Sequence, residues 1–250
     1  MPSSLPTRFA VLVYGLLSYA VFFVTFLYAV GFIGNFGVPK TIDGAPVVPL
    51  ADALLVNGLL LTLFAVQHSV MARPFFKRAL ARILPVAAER STYVLASSLA
   101  LIALFRFWQP MGGGVWSVEQ PAARLLLQVG YGAGWLIVLG TTFLIHHFDL
   151  FGLRQVWLFF RGRDYTGLKF VTPGPYRLVR HPLYVGWLVT FWSTPQMTLA
   201  HLFFAVMTTA YILVAIQFEE RDLADAHPEY HDYRRRTPML VPRLRRDEAN

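Results

Sequence analysis

Three groups of residues carry types and spacings suited to chemistry. The first is His146-His147-x-Asp149, followed by Arg154, Gln155 and Trp157. Adjacent helical histidines point about 100° apart, which disfavours a shared metal ion, so no metal site is expected. His146 and Asp149 are three apart. A continuing helix would put them on one face, where the carboxylate fixes the imidazole tautomer and raises its basicity. Helix-end capping accounts for the same residues without chemistry. The second group runs Arg177-Leu178-Val179-Arg180-His181-Pro182-Leu183-Tyr184-Val185-Gly186. Pro182 suits a first helical position, and Gly186 permits close backbone approach to a helix or ligand. A helix start beside two arginines suits an anion such as an amino-acid carboxylate, although a basic interfacial loop reads the same way. The third group is Tyr211, Glu219, Glu220, Tyr230 and Tyr233. Paired carboxylates at a membrane boundary need partners, and carboxylates can hold ribose hydroxyls. Upstream, Asn57 and His68 share a face eleven residues apart, with Gln67 beside them. Contacts to a neighbouring helix would explain these as well as function would.

These groups must be positioned by membrane helices. The 250-residue chain is 56% hydrophobic and only 14% charged, against about a quarter charged in soluble domains. Apolar runs cover 9–33, 51–70, 91–108 and 125–145. A fifth stretch, 183–218, is too long for one helix and breaks at Ser193-Thr194-Pro195-Gln196. Its first arm, 183–192, rises only ~15 Å. The expected fold is an all-α polytopic membrane protein of about six hydrophobic helices, the last two a hairpin, with a cytosolic C-terminal cap. It reads as one domain, with four helices in 1–146 and the hairpin and cap in 147–250.

Nineteen of the twenty-two lysines and arginines fall in 1–8, 72–90, 147–182 and 219–250. These segments share one side if 183–218 makes two passes, which places both termini in the cytosol. The net charge of +8 therefore points to membrane lipid rather than nucleic acid, with Arg234 to Arg236 the basic grip. The chain has no cysteine, which excludes disulfides, thiolate metal sites and a Cys nucleophile. How many copies assemble is left open by this pattern.

Arg180-His181-Pro182-x-Tyr184-x-Gly186, then Glu219-Glu220-x-x-Leu223, then Tyr230-x-x-Tyr233 to Pro242, resembles the isoprenylcysteine carboxyl methyltransferase superfamily. His227-Pro228 replaces the usual Phe-Gly before the Tyr-x-x-Tyr. The segment from Gln67 to Pro74 resembles the nurim and NnrU-like branch, and that from His147 to Gln155 resembles the bacterial methanethiol S-methyltransferases. The resemblance covers nearly all of 9–242. It implies methylation of methanethiol to dimethyl sulfide by S-adenosylmethionine in a bacterial cytoplasmic membrane, with hydrogen sulfide a further acceptor. It implies cofactor contacts at Arg180, His181, Tyr184, Gly186, Glu219, Glu220, Tyr230 and Tyr233, with Arg180 taking the cofactor carboxylate. The small-thiol pocket would be closed by Arg154, Gln155 and Trp157. His146, paired with Asp149, is the first candidate to deprotonate the thiol, and Tyr211 the second, as base, relay or orienting hydroxyl. Two alternatives differ in kind: methylation of a larger lipid-like thiol or carboxylate, and a haem- or metal-binding redox protein built on His68, His146, His147 and His181.

Overall fold

The computed structural model describes residues 4–242. The fold is helical: α1 (Leu5–Gly34), α2 (Leu50–Met71), α3 (Pro74–Leu80), α4 (Glu89–Phe107), α5 (Pro121–Leu144), α6 (His147–Leu150), α7 (Leu153–Phe160), α8 (Pro182–Trp192), α9 (Leu199–Ala226) and α10 (Tyr230–Arg236). Among the described residues, α1, α2, α5 and α9 are long and apolar enough to cross a membrane. The 30 residues of α1 rise ~45 Å, more than the ~30 Å of hydrocarbon. The other two expected segments also form helices. However, α4 carries Glu89, Arg90 and Arg106, and α8 has only 11 residues. Leu17, Leu55, Leu59, Leu126 and Leu136 project outward and are exposed, as side chains facing lipid must be.

Caps set the helix ends. Ser4 accepts from the Thr7 amide at the start of α1, and Asn35 closes its end in the left-handed conformation at φ 60°. Gln120 and Thr198 cap α5 and α9 through side-chain oxygens. One feature departs from an all-helical reading. β1 (Gly114–Ser117) pairs antiparallel with β2 (Gln196–Thr198), fastening the break between α8 and α9 to the loop after α4. The Trp116 indole adds a bond to the Thr194 carbonyl at 3.2 Å. Backbone polar groups at a helix break need partners, and this short ladder supplies them.

Lipid tails are as apolar as leucine, so these helices associate through close packing and hydrogen bonds. Gly134 of α5 lies against Gly186 and Thr190 of α8. A Cβ on Gly186 would meet the Gly134 carbonyl at 3.0 Å and the Val138 amide at 2.9 Å. Phe32, Leu104, Trp108, Phe204 and Ile216 fill the core, and Trp108 donates to the Ile42 carbonyl at 3.0 Å. Asn57, a functional candidate by sequence, is instead a clasp. Its amide donates to the Gln109 carbonyl and accepts from the Gln109 amide, each at 2.8 Å, pinning the loop after α4.

Candidate active site

The start of α8, the last turns of α9 and α10 converge on one cluster. A 3-10 turn at Gly174–Arg177 leads into the motif, and Pro182 opens α8. The Arg180 and His181 amides donate to the Pro238 and Met239 carbonyls at 2.8 and 3.2 Å. The segment after α10 is thereby laid against the motif. The turn at His227-Pro228 forms without the usual Phe-Gly: the Tyr230 amide donates to the His227 carbonyl at 2.9 Å.

Glu220 is the buried hub. Its carboxylate accepts from Arg180 Nε at 2.7 Å and His181 Nε2 at 3.0 Å, and it pairs with Arg234 Nε at 3.2 Å. A carboxylate taken out of water is stable only with such a full set of donors. Arg180 is spent here, because its Nη1 also donates to the Thr237 and Arg234 carbonyls at 2.5 and 3.1 Å. It braces the cluster and is not the free carboxylate clamp expected from sequence. Gly186 faces α5, so the close approach it allows is to a helix.

Glu219 differs from its neighbour. Its side chain is 45% exposed, takes the Tyr184 hydroxyl at 2.9 Å, and lies 3.9 Å from His181 Nδ1. It keeps acceptor capacity toward open space. Tyr230 is buried, yet its hydroxyl has no hydrogen-bond partner among the described residues. Tyr233 donates to the Tyr176 carbonyl at 2.5 Å, and Phe170 packs on both Tyr230 and Tyr233. Burial raises all three phenols: Tyr230 and Tyr176 rise well above the ordinary range, and Tyr233 is pushed up to about 12. Negative charge on Glu220 (for Tyr230 and Tyr233) or Glu219 (for Tyr176) adds to the effect. All three therefore remain hydrogen-bond donors at neutral pH.

The His146–Asp149 pair does not form. α5 ends at Leu144 and His146 takes the left-handed conformation at φ 70°, so the helical register that would align the two is broken. His146 is exposed, and Asp149 is held by Arg154 at 2.8 Å and Tyr165 at 3.2 Å. The buried histidine is His147, between Thr142 (2.8 Å from Nδ1) and the Tyr19 hydroxyl (2.8 Å from Nε2), with Phe143 stacked at 4.2 Å. Burial lowers its pKa and keeps it neutral. Gln155 donates to the Asp149 carbonyl, and Trp157 is exposed under the Arg161 guanidinium. Arg154 also ties down Thr166, four residues before Phe170. The loop between α7 and α8 thus runs from the Asp149 group to the Tyr230–Tyr233 pair.

Between α2 and α9 lies an apolar groove of about 260 Å³, lined by residues including Leu61, Phe64, Met207 and Tyr211. The Tyr211 hydroxyl is 3.1 Å from Ser69 Oγ, and Arg73 ties the ends of the two helices together at Asp222. Phe64 covers His68, whose partner Tyr93 carried no motif and was not foreseen from sequence. The one available signal was a tyrosine one turn inside a hydrophobic helix.

The class follows from family comparison. The family model described as Phospholipid methyltransferase matches residues 129–229, which hold the α8 and α9 parts of the cluster and stop just before α10. Methanethiol S-methyltransferase 2 of Bradyrhizobium diazoefficiens is 57% identical over 95% of this chain and 92% of its own length. Methanethiol S-methyltransferase of Crocosphaera subtropica is 53% identical over 97% and 95%. Nurim of Sus scrofa is more distant, at 33% identity over 72% and 70%. No solved structure matches the chain. The chain belongs to the methanethiol S-methyltransferase family, and it is an integral membrane methyltransferase.

Proposed function

We propose that this chain methylates methanethiol to dimethyl sulfide, and hydrogen sulfide to methanethiol, at the cytosolic side of a bacterial cytoplasmic membrane, with S-adenosylmethionine as donor. The observation that carries the reading is Glu219, a half-exposed carboxylate next to the buried brace around Glu220 and two turns along α9 from Tyr211 of the apolar groove. The names of the relatives supply the acceptor. The groove is below the usual range for drug-sized ligands, which favours a small thiol over a lipid-like one.

S-adenosylmethionine supplies an electrophilic methyl on a sulfonium, and the residues present fit it. Glu219 has free acceptor positions for ribose hydroxyls. The rings of Tyr184, Tyr230 and Tyr233 offer negative faces to a cation. Arg180, His181 and Glu220 hold α8 against α9, and Gly186 seats α8 on α5. Tyr211, at the groove, orients the thiol. Arg154, Gln155 and Asp149 hold the loop that reaches Phe170, with Trp157 on its outer rim. The proton is not assigned to His146, which lacks the carboxylate partner. In this reading 1–250 act as one domain. Both termini are cytosolic, and Arg235 and Arg236 meet anionic lipid, Arg234 being held by Glu220.

Headspace gas chromatography on membranes given methanethiol and S-adenosylmethionine tests the reading, with Glu219→Ala alongside. Dimethyl sulfide from the parent and little from the variant supports both reaction and site. Cofactor binding without product from methanethiol would redirect the assignment to larger thiols and carboxylates.

A further inference from the structure

A second polar cluster, where α2 and α4 meet, takes no part in the contacts assigned above to the cofactor. His68 lies inside an apolar helix, where an ionisable side chain is costly and is a functional candidate by default. Its ring lies between Phe64, stacked at 5.1 Å, and Tyr93 at 4.9 Å. The Tyr93 hydroxyl is 2.7 Å from Nε2 and 3.1 Å from Nδ1, and Nδ1 is also 3.1 Å from Ser97 Oγ. Gln67 also donates to Ser97, at 3.3 Å. A neutral imidazole has one donor and one acceptor nitrogen. In the tautomer that donates Nδ1–H to Ser97, Nε2 is the acceptor for the Tyr93 hydroxyl.

Two observations put this pair beside the α2–α9 groove and the Tyr184–Glu219 pair. The α2–α9 groove is lined by Phe64, the ring that covers His68, and by Tyr211, whose ring is 6.3 Å from Phe64. Tyr93 is also within electrostatic reach of Tyr211 and Glu219, and Tyr184 is within reach of the same two groups and of Tyr93. The groove, the Tyr184–Glu219 pair and the Tyr93 hydroxyl are therefore neighbours.

We infer that Tyr93 and His68 take the proton of the acceptor thiol, Tyr93 by direct contact and His68 through it. The inference rests on the thiol-methylation reading. The thiol S–H donates to the Tyr93 oxygen as the Tyr93 hydroxyl proton passes to His68 Nε2. The thiol sulfur forms the new bond to the methyl carbon with its own pair. The old sulfonium–methyl bond breaks, and its pair stays on the donor's sulfur. The proton ends on His68 as imidazolium. One positive charge disappears from the sulfonium and one appears on the imidazole, so the site changes the place of its charge and not its amount. That matters in a water-poor site, where a new uncompensated charge is expensive.

The test compares parent, Tyr93→Phe and His68→Gln in detergent, with two thiols and one binding probe. S-adenosylhomocysteine binding, by equilibrium dialysis, reports an intact cofactor site. Initial rates are taken with methanethiol and with 2,2,2-trifluoroethanethiol, a more acidic thiol that has a substantial thiolate fraction without help. The expected result is S-adenosylhomocysteine affinity within ~2-fold of the parent, a ~10²-fold loss of rate with methanethiol, and a loss under ~5-fold with the acidic thiol. An equal loss with both thiols means a structural role and overturns the inference, as does no loss with either. A parent that binds S-adenosylhomocysteine but turns over neither thiol overturns the methylation reading and the inference with it. Tyr93→Phe preserves the ring packing, so it decides the matter alone if His68→Gln fails to fold.

Discussion

Glu219 and Glu220 are consecutive on α9 and have opposite environments. Glu220 is buried on Arg180, His181 and Arg234, while Glu219 is nearly half exposed and, among the described residues, holds only the Tyr184 hydroxyl closely. One carboxylate is committed to architecture, and the next is left with capacity for a ligand.

Charge removal should separate them. Glu220→Gln strands Arg180 and His181 in a buried site, where breaking such a network costs ~3–5 kcal/mol. A large fall in melting temperature in detergent is expected. Glu219→Gln should melt close to the parent but bind S-adenosylhomocysteine ~10–100-fold more weakly, the loss that ~1.4–2.8 kcal/mol of ligand contacts produces. Equal melting temperatures for the two variants would contradict this division of labour.

The α5–α8 contact predicts a steric effect. A Cβ on Gly134 would sit 2.3 Å from Thr190 Oγ1 and 2.7 Å from the Thr190 amide, whereas one on Gly140 meets nothing within 4 Å. Gly134→Ala should lower stability by ~1–3 kcal/mol, and Gly140→Ala should leave it unchanged or slightly raised. Thermal unfolding followed by tryptophan fluorescence reads the difference.

His147 predicts a pH effect with a definite sign. Burial lowers its pKa in the folded protein below the unfolded value of about 6.5. The unfolded chain therefore binds the proton first as pH falls. The stability contribution is intact above about pH 6.5 and is lost as pH drops through the lowered folded value. His147→Gln should flatten that part of the pH–stability curve relative to the parent, measured by melting temperature from pH 7.5 to 5.

Topology is open to reporter fusion. Alkaline phosphatase joined in the loop near residue 118 should be active outside the cytosol. Fused after residue 242 it should be inactive, because the basic segments stay inside. Activity at both sites would show that α8 and α9 do not make two passes.

Much of this was legible. Arg180, His181, Tyr184, Glu219, Glu220, Tyr230 and Tyr233 come together because short motifs on consecutive elements have few ways to meet. The six hydrophobic runs became helices for the same local reason. Arg180 was read as a ligand clamp because sequence shows a cation and not its partner, and Glu220 lies 40 residues away. His146 and Asp149 were aligned by a helical rule that holds only within a helix, and a left-handed residue at 146 ends it. The β1–β2 ladder and the His68–Tyr93 pair join segments distant along the chain, without any local pattern to announce them.

The backbone bonds from Arg180 and His181 to Pro238 and Met239 have a consequence for biogenesis. Those carbonyls emerge from the ribosome after every membrane helix has been made. Insertion into the bilayer and maturation of the site are therefore separate events in time. A released chain ending between residues 227 and 237 would keep every membrane helix and lack the carbonyls that the Arg180 and His181 amides need.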